Sequence, residues 1–127
     1  MNDELLDQIM AQETALLELY RQLAESAPGE AHQKLARELF QQRGFHLKTL
    51  AFLKGKLPRE FLCLGTIIDN QVNLRRFPKG SSDLLRQLER GTTVIIIGYE
   101  GNWGQVQLLD GTVGYVFKAY LKCGRGD

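Results

Sequence analysis

The chain has 127 residues, enough for one domain of ordinary size or two small ones. Its 43% hydrophobic and 24% charged residues fit a folded soluble protein and exclude a disordered one. The formal net charge of +1 is split as −1 over residues 1–57 and +2 over 58–127, so neither half has the basic excess of a nucleic-acid binder.

Residues 2–26 read as one helix. Leu5, Leu6, Ile9, Leu16, Leu17, Tyr20, Leu23 and Ala24 recur at the three-and-four spacing of a single face. Asp3, Glu4 and Asp7 stand in its first turn, where carboxylates favour the helix dipole. This acidic, amphipathic opening does not resemble a secretory signal, and no apolar run approaches membrane-spanning length, so a cytoplasmic, membrane-free protein is expected.

The turn residues Ser26-Ala27-Pro28-Gly29 end the pattern. A second helix then runs from Glu30 to Leu53, with apolar positions at Ala31, Leu35, Ala36, Leu39, Phe40, Leu47, Leu50 and Leu53. Gly44 lies inside it and costs about 1 kcal/mol relative to alanine. Lys54-Gly55-Lys56-Leu57-Pro58 closes the helix and marks a boundary between residues 1–57 and 58–127. So short a turn makes the helices antiparallel neighbours. Their broad apolar stripes call for a cover, and a second copy of the chain would supply one as a four-helix bundle in a homodimer.

After Pro58 the period drops to two and glycines and β-branched residues collect. Candidate strands are Glu60–Ile68, Thr92–Tyr99, Trp103–Leu108, Val113–Phe117 and a short piece near Tyr120–Lys122. Glu100-Gly101-Asn102 and Asp110-Gly111 each join two apolar runs as hairpin turns. Between the first two strands, residues 69–91 are polar; they start extended through Val72–Arg75 and suggest a helical turn at Asp83–Leu88. Val94, Ile96, Val106, Leu108, Val113 and Val116 are the expected inward positions. The fold class is therefore α+β: an antiparallel two-helix hairpin followed by a small β-barrel.

One ordered set of motifs resembles a bacterial SH3 domain. It comprises Val72-Asn73-Leu74-Arg75, the Pro78-Lys79-Gly80 turn, Leu88-Glu89-Arg90-Gly91-Thr92-Thr93-Val94, Asn102-Trp103-Gly104-Gln105-Val106, Gly111-Thr112-Val113-Gly114-Tyr115-Val116 and Tyr120-Leu121. The resemblance covers about half the chain. Where the family commonly has Gly-Trp-Val, this chain has Gly114-Tyr115-Val116. The resemblance implies an SH3-like barrel that recognises a peptide or cell-wall-type ligand through an aromatic groove. Arg75, Phe77, Tyr99, Trp103 and Tyr115 are the ligand-binding candidates; the competing reading leaves Trp103 and Tyr115 as rim-of-core residues. It also makes the first and last strands neighbours. A Cys63–Cys123 disulfide is then geometrically allowed, although reduced thiols are what a cytosolic chain would carry.

The hairpin more distantly resembles half of a ferritin-like bundle, in which Glu and Glu-x-x-His hold iron. Glu13, Arg43 and His46 stand at those positions, and a cation in the carboxylate's place breaks the ligand set. Glu13 and Arg43 lie fifteen residues either side of Pro28, which predicts an ion pair across the hairpin that sets helix register, with no metal and no cofactor. No serine or cysteine has an evident base and no phosphate-cradling loop is present, so no enzyme is expected. The expected function is a non-enzymatic binding module dimerised by its helices. The alternative is a ferritin-like metal-binding protein with an appended barrel.

Overall fold

The computed structural model describes residues 3–126. The chain divides into two compact units, Met1–Lys54 and Gly55–Asp127.

The first unit is an antiparallel helical hairpin, α1 (Asp3–Ser26) and α2 (Glu30–Phe52). Residue 2, the first of the expected helix, lies outside the described residues. The turn is closed by Gln33, whose backbone N–H bonds the Gly29 carbonyl at 2.8 Å and whose side-chain amide donates to the Ala27 carbonyl at 3.2 Å. Gly44 faces the other helix: a methyl group there would lie 3.9 Å from Leu17 Cδ1, in ordinary contact. Leu6, Ala36 and Phe52 are buried, whereas Leu5, Leu19, Leu23, Leu35 and Leu39 are exposed.

The second unit is one seven-stranded sheet: β1 (Cys63–Ile67), β2 (Val72–Arg75), β3 (Leu84–Leu88), β4 (Thr93–Glu100), β5 (Trp103–Gln107), β6 (Val113–Phe117) and β7 (Leu121–Cys123). A 3₁₀ turn, Lys118–Tyr120, leads into β7. Every pairing is antiparallel, in the order β3-β2-β6-β5-β4-β1-β7. No ladder among the described residues joins β3 to β7, so the sheet is open by its hydrogen bonds. It nonetheless wraps one apolar cluster: Ile67, Val72, Leu74, Leu88, Val94, Ile96, Val106, Leu108, Val116 and Leu121 draw on all seven strands.

Three expectations are corrected. Residues 84–88 form a strand, not a helical turn. Leu84, Leu85 and Leu88 have a helix-like spacing, but pairing of Val72 with Leu88 and Leu74 with Arg86 overrides it, and burial of Leu88 rewards the extended form. Val113 points outward and is exposed, because it stands three residues from inward-facing Val116 and strand faces alternate every two. Cys63 and Cys123 are joined rather than free. Gly65 pairs with Cys123 across β1 and β7, and this brings the two cysteine Cα atoms to 5.9 Å, within disulfide reach.

Gly114 fixes how closely β2 lies on β6. A methyl group there would come within 2.8 Å of Leu74 Cδ1 and 2.9 Å of the Arg75 carbonyl oxygen. The two strands share one register pair, Arg75 with Tyr115, and the absence of a side chain at 114 is what lets them meet.

Candidate functional site

The β unit carries a hollow of about 200 Å³ between the β1–β2 connection and an aromatic shelf. The shelf follows from register. Trp103 opens β5 and pairs with Phe117 at the end of β6, so both rings leave the same face of the sheet. They stack with centroids 4.2 Å apart and planes 20° from parallel. Tyr120, from the 3₁₀ turn, meets Phe117 edge-on at 6.2 Å.

Opposite these rings the lining is polar: Asp69, Asn70, Gln71, Asn73 and Arg75, with Val72 and Gly80 completing it. Most of this wall is tied down. Asn70 Oδ1 accepts the Arg90 backbone N–H at 3.3 Å, and Asn73 Oδ1 accepts from the Gln87 amide at 3.1 Å. Arg75 Nη1 donates to the Ser82 carbonyl at 2.9 Å, while the buried Ser82 hydroxyl accepts the Phe77 N–H at 2.8 Å. Asp69 faces Arg90 at 3.7 Å. The Ile68 N–H bonds the Tyr120 carbonyl at 3.0 Å and so couples the wall to the shelf.

Of the five residues expected to bind a ligand, the hollow gathers Arg75 and Trp103. Tyr99 pairs with Gly104 while its neighbour Glu100 pairs with Trp103, which puts Tyr99 and Trp103 on opposite faces of the β4–β5 ladder. Tyr99 packs instead beneath the Lys118 ammonium, 4.8 Å from its ring centroid. Tyr115 shares the outer face with Phe117 but lies beside Arg75, outside the lining, and Phe77 is exposed on the loop between β2 and β3. Phe117 and Tyr120 were not among the sequence candidates. Strand parity counted forward from Trp103 through the Asp110-Gly111 turn would have found Phe117.

The family model of the bacterial SH3 domain matches residues 70–122. The bacterial SH3 match begins at Asn70 in the hollow's wall and ends at Lys122 in β7, so it takes in Gln71, Asn73, Arg75, Trp103, Phe117 and Tyr120 and leaves out Asp69, β1 and the hairpin. Among curated proteins, none matches the chain's sequence.

The hairpin holds a second polar cluster. Arg43 Nη1 donates to both Glu13 carboxylate oxygens, at 3.0 and 2.8 Å. Its guanidinium lies over the Tyr20 ring at 5.6 Å, and His46 Nδ1 stands 3.3 Å from Arg43 Nη1 and 3.6 Å from Glu13 Oε2. The bond to Glu13, and then the Tyr20 hydroxyl, hold the Arg43 pKa above its ordinary value. Among the described residues no group of three or more His, Cys, Asp or Glu side chains is placed to hold a metal ion. Among the described residues no helix is long and apolar enough to cross a membrane.

Proposed function

We propose that the β unit is a non-enzymatic binding module that seats an extended peptide in the Trp103 hollow. The observation that carries this is the stacked Trp103–Phe117 shelf, with Tyr120 at its edge, set against a wall of side-chain amides. Rings give contact area at low entropic cost, and amides give hydrogen bonds to a peptide main chain. In this reading the curled sheet serves as an SH3-like barrel whose ends meet through the shared core rather than through a ladder.

The hairpin's role in the same reading is to pair with a second copy, and its register is set by the Glu13–Arg43 ion pair. The exposed leucines 5, 19, 23, 35 and 39 support this, since a hairpin that leaves them in water lacks a core of its own. Two linked hollows per dimer would strengthen a weak contact by avidity. The Cys63–Cys123 bond supports an oxidising compartment over the cytoplasm expected from the sequence.

The test is calorimetric titration of the intact protein with a capped, uncharged peptide of alternating glycine and alanine. The wild type binds saturably, and Trp103→Ala, with an unchanged circular dichroism spectrum, loses at least about tenfold in affinity, as hot-spot truncations do. Equal affinity in the folded variant refutes the hollow as the site.

A further inference from the structure

Gln71 is the one described non-glycine residue with positive φ, at +53°. The left-handed region is sterically costly for a side-chain-bearing residue, a cost glycine does not bear. The other positive-φ positions, at 91, 101, 111 and 124, are all glycine. At position 71 the chain instead keeps a long carboxamide where glycine would fit the backbone better.

The surroundings hold it there. On one side Asn70 accepts the Arg90 N–H; on the other, Val72 is buried and paired with Leu88. Strain of this kind persists where neighbours over-determine the backbone, and it gathers at ligand sites. Gln71 lines the same hollow as Trp103 and Phe117, and it is exposed there. Asn70 and Asn73 each have an amide oxygen engaged within the chain.

We propose that Gln71 is a specificity-determining residue whose carboxamide pairs with a main-chain amide of the ligand, and that the ligand is an uncharged, extended peptide. A carboxamide offers an acceptor and two donors, the complement of a peptide group's N–H and C=O. Arg75 Nη1 donates to the Ser82 carbonyl and Asp69 faces Arg90 at 3.7 Å, so the charged members of the lining already have contacts within the chain, and the Gln71 carboxamide is the group left to select a ligand by hydrogen bonding. This inference rests on the reading of the hollow as a peptide site.

The experiment compares wild type, Gln71→Gly, Gln71→Asn and Phe117→Ala. Each is titrated with the same capped glycine–alanine peptide, followed by emission of Trp103, the chain's single tryptophan. Gln71→Gly melts at a higher temperature than wild type yet binds about tenfold more weakly, the loss of one net hydrogen bond. Gln71→Asn, which tolerates the left-handed backbone and keeps the amide, binds better than Gln71→Gly. Unchanged affinity in Gln71→Gly, or a lower melting temperature, overturns the inference and leaves the hollow standing. If the wild type fails to bind, or Phe117→Ala binds as tightly as wild type, the peptide-site reading fails and takes the inference with it.

Discussion

The β unit and the hairpin meet the problem of burial in opposite ways. In the β unit, side chains from all seven strands close on one apolar cluster, and Leu74, Val94, Ile96, Val106 and Val116 have essentially no exposure. In the hairpin, Leu6, Ala36 and Phe52 are buried while Leu35 is 67% exposed and Leu19 59%. Two helices have one seam between them, and stripes as broad as these spill past it. A curled sheet encloses what it covers. The β unit holds its own core, whereas the hairpin leaves much of its apolar surface exposed, which is why we propose that a second copy covers it.

Substitutions that carve the core sharpen the contrast most. Leu74→Ala should cost about 3–4 kcal/mol in urea unfolding of the β unit, because it leaves a cavity. Leu35→Ala should change the stability of isolated chains by less than about 0.5 kcal/mol, as exposed substitutions do, and act instead on self-association. Comparable losses at the two positions would break the distinction. Next comes the disulfide. Replacing both Cys63 and Cys123 with serine frees a crosslink spanning 60 residues and should cost about 2–4 kcal/mol, confined to the β unit.

A smaller effect of opposite sign is expected in the hairpin. Gly44→Ala should stabilise it by about 1 kcal/mol, since the methyl group finds room against Leu17 and the helix gains propensity. The smallest effect is on pH dependence. Arg21, hydrogen-bonded to Glu18, holds that carboxyl's pKa down to about 2, from 4.5. A depressed carboxyl pKa contributes stability that is present above 4.5 and is lost as pH falls from 4.5 toward 2. The pair is exposed, so the loss is slight, and salt should diminish it. Arg21→Gln removes this part of the acid dependence of helical circular dichroism.

Much of the architecture was legible because its signals are local. The heptad-like spacing of Leu5 through Ala24 and the turn at Pro28 define the helices to within a residue or so. The glycines at 101 and 111 mark the two hairpin turns, both with positive φ. What escaped depends on tertiary pairing. Leu84-Leu85-Arg86-Gln87-Leu88 suits a helical turn until Val72 and Leu74 lie beside it. At the hollow, Trp103 and Arg75 were legible from type and motif. Phe117 needed the β5–β6 register, Tyr120 the 3₁₀ turn, and Gln71 a backbone angle that composition does not encode.

The proposed division of labour, a β unit that binds and a hairpin that pairs with a second copy, is tested most directly by light scattering of the intact chain at micromolar concentration. A mass of twice 14.4 kDa, falling to 14.4 kDa when Leu35 and Leu39 are both replaced by glutamate, is the predicted result. A wild-type mass of 14.4 kDa across the concentration range contradicts it.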